Sequence, residues 1–380
     1  MAYSKLINIL KDLIRINSIN PAFDPAHSEA EVQKFVLEFF KRREIEACEQ
    51  TVLPGRPNLI AKLPGRDATR RIVFEAHCDT AGVAGMVIPP FDPQIRNGCL
   101  YGRGACDTKA GLAAMMLAVS DLKESGVPPP AEVWVASAVG EEHSFPGVLK
   151  LRENLSAAAA VVAEPTEMKM VVASKGCLRW RTTVRGKAAH SSTPHLGVNA
   201  IEHMARLVSL LQEQNARLAE VAHPLVGSAT LNVGIIQGGT QVNIVPNLCW
   251  IEVDRRLVPG EDAEKIRSEY ADLLRSYQAS HAEVEVVMEP RALVDRPLET
   301  SLECALVSCT VRILKAMGLD SQPYGVPFGS DASKLSAVGI PSIILGPGSI
   351  AQAHTIDEFV EIEQVEKAFI AYRDLMMGFA

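Results

Sequence analysis

No run of about 18 apolar residues occurs in the 380-residue chain, so the sequence offers no membrane-spanning helix. Lys and Arg form no block, and the formal charge of -7 is mild and dispersed, so neither a nucleic-acid surface nor an acidic tail is expected. The eight cysteines (48, 78, 99, 106, 177, 249, 304 and 309) contain no CxxC pair and no dense framework. Reduced thiols in the cytoplasm are the simplest reading of that spacing. Aromatic residues are sparse at 5%, and no internal repeat or low-complexity segment appears. The N-terminus lacks the pattern of a signal peptide. Leu6, Ile7, Ile9, Leu10, Leu13 and Ile14 recur at helical spacing among Lys5, Lys11, Asp12 and Arg15, the signature of an amphipathic helix. What is left is a globular chain long enough for two domains.

The first 170 residues or so alternate helical and strand-like patterns. Ala30–Arg43 and Lys109–Glu124 read as helices, and Arg71–Ala76, Ala131–Val139 and Ala157–Ala163 as continuous apolar strands. That alternation predicts an α/β sheet covered on both faces, with sites beyond the strand ends. The pattern changes near Ser174. In "CLRWRTTVRG", Leu178, Trp180, Thr182 and Val184 alternate with Arg179, Arg181, Thr183 and Arg185, as in a half-solvated strand. A helix (197–218), two strands (230–237, 248–257), a helix (262–278) and a strand (282–288) follow. The order β-α-β-β-α-β is that of a ferredoxin-like unit. From Glu289 helix and strand alternate again, with helices near 302–317 and 330–337, a strand at 341–345 and a last helix from Glu363. The expected organisation is a split α/β domain, 1–174 plus 289–380, with an inserted domain at 175–288.

Chemistry-bearing residues gather at the predicted strand ends. "HCDT" ends one strand, and residues two apart on a strand point the same way, so His77 and Asp79 either both bind a metal or one orients the other. Alone that pair is weak, because HxD arises by chance. In "YGRGACDTKAG" glycines bracket Asp107 before a helix; the plainer reading makes Asp107 a helix cap. A phosphate loop fits poorly, since GxxxxGK[ST] is absent. Adjacent Glu141 and Glu142 follow a third strand, Glu164 a fourth, and His354 a glycine-rich turn. Singly, each reads as a solvated charge. Together, two histidines and three carboxylates (His77, Asp107, Glu142, Glu164, His354) form a mixed nitrogen and oxygen set that suits Zn²⁺, and also Mn²⁺ or Co²⁺. Five ligands with one shared match the count for two metals a few ångströms apart. Cys78 and Cys106 flank ligand candidates and are read as packing residues.

The succession of HxDT, GRGxxDxKxG, GEE, Glu-Pro and a late GPG…AH resembles the dizinc aminoacylase/carboxypeptidase metallopeptidase family, in its group of acetylornithine deacetylases and succinyl-diaminopimelate desuccinylases. The resemblance covers nearly the whole chain, and 325–362 is particularly similar to the acetylornithine deacetylases. It implies a zinc-peptidase-like α/β/α catalytic domain with an inserted ferredoxin-like domain serving dimerisation and closure. It further implies that His77, Asp107 and Glu164 bind one Zn²⁺, and that Asp107, Glu142 and His354 bind the other. Asp79 would orient His77, and Glu141 would be the general base for a metal-bridging hydroxide. In the inserted domain the resemblance implies His190 as an oxyanion donor reaching a dimer partner's site, and Asn243 and Arg256 as substrate contacts, with Gly329 and Ser330 of "FGSD" adding others. The implied activity is cleavage of the amide of an N-acylated amino acid, first of all N-acetylornithine, by a cytoplasmic homodimer. A dipeptidase, carboxypeptidase or desuccinylase would share the chemistry, and a metal-binding protein without catalysis is a remote alternative. The chain departs from the family in two places: "AGVAGMVIPP" stands where Val-Pro is usual, and Ala110 where Gly is usual.

Overall fold

The structure, a computed structural model, describes residues 2–290 and 293–380. The chain folds into two compact units: Met1–Val172 with Glu299–Tyr324 and Ser330–Ala380, and Ala173–Leu298 with Gly325–Gly329.

In chain order the first unit contains α1 (Ala2–Arg15), α2 (Ala30–Lys41), β1 (Glu46–Leu53), β2 (Arg56–Leu63), β3 (Asp67–His77), β4 (Gln94–Arg96), β5 (Cys99–Tyr101), α3 (Lys109–Ser125), β6 (Ala131–Ala138), α4 (Pro146–Leu151) and β7 (Ala159–Val162). With β8 (Val171–Ser174) the chain crosses into the second unit. There it forms β9 (Gly176–Arg185), α5 (Ala200–Leu218), β10 (Ala222–His223), β11 (Gly227–Ser228), β12 (Thr230–Gly238), β13 (Leu248–Leu257), α6 (Ala263–Ser280), β14 (Glu285–Met288) and β15 (Leu293–Asp295). It returns through β16 (Leu298–Glu299), α7 (Ala305–Ala316), β17 (Tyr324–Val326), α8 (Ala332–Ser336), β18 (Ser342–Ile344), β19 (Phe359–Glu361) and α9 (Ile362–Gly378).

The main sheet runs β1-β2-β6-β3-β7-β18-β8. β3 pairs in parallel with β6 and with β7, and β18 in parallel with β7, so four strands end on one edge. Toward that edge their residues are buried, as a sheet covered by helices requires. α3 is the innermost helix: all of Lys109–Ser120 is buried, including the adjacent Met115 and Met116. Its run of Ala, Leu and Met favours helix, and it stops at Gly126, whose φ of 70° is the left-handed cap that glycine adopts without strain. The β1–β2 hairpin, absent from the sequence reading, pairs Glu46 with Lys62 through Leu53 with Arg56.

The second unit's sheet is antiparallel in the order β12-β13-β9-β14, the arrangement of a ferredoxin-like fold. Leu178, Trp180 and Val184 of β9 face a core shared with Cys249, Ile251, Val253 and Leu257 of β13 and with α5 and α6. Both helices begin with side-chain caps, Asn199 accepting from the amides of Ile201 and Glu202 and Asp262 from that of Lys265. This unit continues past residue 288 to Leu298, because β15 extends the pairing along β9, Leu293 opposite Arg179 and Asp295 opposite Cys177. Among the described residues no helix is long and apolar enough to cross a membrane.

Candidate metal centre

Parallel registration brings the acidic strand ends together. His77 lies opposite Ala138 across β3 and β6, and Glu75 opposite Val162 across β3 and β7. The residues just beyond, Glu141, Glu142 and Glu164, therefore emerge at the same edge as His77. Gly140 makes the turn after β6 with φ 78°, a conformation that would strain any residue with a Cβ. Gly346, after β18, lies so close to the Glu164 backbone that a Cβ there would sit 2.5 Å from its carbonyl oxygen. The chain then runs through Gly348 to His354, which adopts a left-handed φ of 58°.

Two clusters of donor atoms result, each within 4.8 Å: His77 with Glu141 and Glu164, and Asp107 with Glu142 and His354. Asp107 joins them. Its Oδ1 is 3.0 Å from His77 Nε2, and its Oδ2 is 3.3 Å from His354 Nε2. His354 Nε2 is also 2.9 Å from Glu142 Oε1. The expected grouping set Asp107 with His77 and Glu164 and gave Glu141 no ligand position. The geometry adds the Glu141 carboxylate to that neighbourhood. Asp107 is not a helix cap: Thr108 holds the N-cap position of α3, with no side-chain cap bond.

Asp79 is fully buried. It accepts hydrogen bonds from Asn20 Nδ2 at 2.8 Å and from the amides of Glu141 and Glu142, each at 3.0 Å. His77 Nδ1 faces the Asp79 main-chain oxygen at 3.1 Å and carboxylate Oδ1 at 3.6 Å. With its Nδ1–H so directed, His77 turns the lone pair of Nε2 toward an Asp107 oxygen. Two acceptors 3.0 Å apart need a cation between them, a proton or a metal.

The titration pattern says the same. Burial, opposed by the charge of His77 and reinforced by that of Glu142, pushes Glu141 up to about 8. Burial likewise raises Glu164 well above the carboxylate range, and Asp107 and Glu141 add to it. Burial also raises Glu142, against its bond to His354. Bonds to Asp107 and Glu142 lift His354 to about 10. Burial opposes the His77 cation, yet bonds to Asp107 and Asp79 outweigh it and raise the group. Asp107 falls below its usual range despite burial, because both histidines bond it. Crowded carboxylates held with protons between them are a donor set that divalent cations fit, since each metal replaces protons and offsets the mutual repulsion.

Cys78 and Cys106 are buried thiols, both raised chiefly by burial, and neither belongs to a donor cluster among the described residues. Sequence reasoning gave no role to Glu75 and Asp331, two fully buried carboxylates raised by burial and then by neighbouring negative charge: that of Asp331 for Glu75, and that of Glu141 for Asp331. It also missed Asn20 and Glu358. "INSINP" and "HTIDEF" are the only traces of these in the sequence, an Asn before Pro and a Glu four residues after His354.

The remaining candidates belong to the second unit or to its border. His190 is exposed, its Nδ1 2.7 Å from Ser192 Oγ, and it bridges to Ile244 beside Asn243. On β13, Arg255 is buried and paired with Glu261 at 2.5 Å, while Arg256 lies on the opposite face, paired with Asp254 at 2.8 Å. The described contacts of Gly329 and Ser330 are structural. A Cβ on Gly329 would collide with Asp295, and the buried Ser330 hydroxyl accepts from the amide of Ala332 at 3.3 Å.

Carboxylates and histidines at the ends of covered parallel strands, with a ferredoxin-like unit inserted, fit a metal-dependent hydrolase. The model of peptidase family M20/M25/M40 matches residues 73–378, so the chain belongs to this family. It is 32% identical to an acetylornithine deacetylase of Myxococcus xanthus over 357 residues, covering 91% of this chain and 88% of that protein. Its fold resembles that of an aminopeptidase of Bacillus cereus, with a TM-score of 0.82, 24% identity and coverage of 99% and 98%. It also resembles a dinuclear metal-binding M20 peptidase of Bacillus subtilis, with a TM-score of 0.74, 16% identity and coverage of 99% and 98%. The protein is thus a metal-dependent hydrolase of the peptidase and deacetylase type with a two-metal donor set.

Proposed function

We propose that the protein cleaves the amide bond of an N-acylated amino acid, N-acetylornithine being the first substrate to test. The observation that carries the reading is the Asp107 carboxylate, which offers one oxygen to each of two histidines beside Glu141. His77, Asp107 and Glu164 would hold one Zn²⁺, and Asp107, Glu142 and His354 the other. When bound, the pair polarises the acyl carbonyl and acidifies the attacking water. Glu141 takes the proton from that water and passes it to the leaving amine. Asp79 keeps His77 in one tautomer and anchors both glutamates by their amides.

His190 is assigned to the oxyanion, Asn243 to the substrate and Arg256 to its carboxylate, an anion that a guanidinium fork suits. For that, Arg256 exchanges Asp254 for substrate. A homodimer through the second unit is part of the reading. Ile235 and Ile236 on β12, with Ile201, Val242 and Leu248, are large apolar groups left exposed there. A cytoplasmic home accords with eight free cysteines.

The test is kcat/KM across N-acetyl, N-succinyl and dipeptide substrates on metal-reconstituted protein. Preference for N-acetylornithine supports the reading. A dipeptide preference makes the protein a peptidase, and an N-succinyl preference makes it a desuccinylase. Inactivity on all of them with metal bound removes the enzymatic reading.

A further inference from the structure

Glu358 is fully buried and lies 251 residues from Asp107, yet four donors of one short loop converge on its carboxylate. Oε2 accepts from Arg103 Nη1 at 2.6 Å and from the Gly104 amide at 3.0 Å. Oε1 accepts from the amides of Cys106 at 2.8 Å and Asp107 at 3.0 Å. The Glu358 main-chain oxygen takes the Gly102 amide at 3.1 Å as well. Three amides of one loop and a guanidinium around one anion form a concave nest of the kind that binds phosphates, here filled by the protein's own side chain. Arg103 supplies the compensating charge that a buried carboxylate requires, and it ties down the far side by donating to the carbonyls of Gly82 and Thr355.

The consequence lies in what each loop carries. The 102–107 segment ends in Asp107, and Glu358 itself ends the turn that carries His354. Asp107 and His354 are two of the three donors in one cluster. In the other, His77, Glu141 and Glu164 stand at sheet edges and are set by strand pairing. Resting on the two-metal reading of this centre, we infer that Glu358 is a positioning residue which acts chiefly on the Asp107–Glu142–His354 metal position, through two of its donors, and on the His77 position only through the shared Asp107. Glu358 touches neither substrate nor metal in this role. It fixes where the Asp107 oxygens point by holding the Asp107 amide, and it locks that loop to the loop of His354.

Glu358→Gln keeps the shape while turning one acceptor into a donor that faces loop amides. Calorimetric titration of metal-free protein with Co²⁺, followed also by visible absorption, reads the two positions without reference to activity. Wild-type protein binding two ions is the control. Fewer than two overturns the two-metal reading itself, separately from Glu358. In E358Q the expected result is uneven weakening, one position by about 10–100-fold, the usual effect of losing an outer hydrogen-bonding partner, and the other, which shares only Asp107, by less. Two unchanged positions, or equal weakening of both, overturns the assignment. Arg103→Gln serves if E358Q does not fold. It leaves the carboxylate but removes its strongest donor, and the same uneven weakening, smaller in size, is expected. An equal or absent effect on the two positions there overturns it too.

Discussion

His77 ends a buried parallel strand, Glu141 and Glu164 follow two others, and their relative positions come with the ladder that pairs β3 to β6 and β7. Asp107 and His354 stand on loops, and their positions come from a carboxylate, Glu358, held by hydrogen bonds rather than by a ladder. His354 shows the difference in its environment: its side chain is 54% exposed, against 2% for His77. A sheet edge is rigid because many bonds must break together, whereas a loop is as rigid as the few polar contacts that pin it. One half of the centre is therefore expected to be robust and the other adjustable.

The largest effect that sharpens this contrast comes from Glu141, which shares the strand-borne cluster but is assigned to proton transfer. Glu141→Gln is expected to lower kcat by about 10²–10⁴-fold, the range of general-base catalysis, while two metals per chain remain by elemental analysis. Loss of a metal in this variant would make Glu141 a ligand instead. Asp79→Asn comes next. Its carboxylate serves His77 and the amides of Glu141 and Glu142, so the variant is expected to weaken the strand-borne metal about 10–100-fold in the same Co²⁺ titration. Weakening confined to the Asp107–His354 position would break the comparison.

A third effect concerns pH and metal together. The raised carboxyls (Glu141, up to about 8, and Glu164) keep protons in the folded protein that the unfolded chain releases near 4.5. His354, up to about 10, does the same against 6.5. Stability from each is full below the unfolded value and lost as pH rises through the folded one. The lowered Asp107 acts the other way, below 3.8. Metal-free protein is therefore expected to lose a few degrees of Tm, at about 1 °C per kcal/mol for a chain of this length, between roughly pH 5 and pH 9. Metal at about 100 times its Kd restores about 2.7 kcal/mol, with the larger gain at high pH. A Tm of metal-free protein that is flat or rising over that range, by scanning calorimetry, would contradict this. The smallest effect is expected from Asn20→Ala. It removes one of the bonds to Asp79 and leaves the two amides in place, so less than about tenfold in kcat/KM is expected, with little change in metal content.

Much of this was legible along the chain. The helix over 109–124 is found at Lys109–Ser125, because its run of Ala, Leu and Met favours helix, and the strand over 248–257 at Leu248–Leu257, because its residues alternate between faces. Cys106 and Asp107 looked alike as flanks of a glycine turn, and only the residue types separated a thiol kept neutral by burial from a carboxylate facing two histidines. The β1–β2 hairpin was not legible, since "EACEQTVL" mixes charge and apolar residues without clean alternation. Nor was the second unit's extension to Leu298, which depends on a three-residue strand recognised only by its partner.

The residue types alone determined the alternating α/β pattern and the inserted β-α-β-β-α-β unit, and they singled out the candidate acid and histidine donors, because periodicity and side-chain chemistry are local properties. Only the tertiary structure decided which Asp107 oxygen faces which histidine. It alone brought Glu75 within electrostatic reach of Asp331 and filled the loop's nest of amides with Glu358. Each of these joins residues far apart in the chain, and nothing local in a sequence records which distant carboxylate a folded loop closes around.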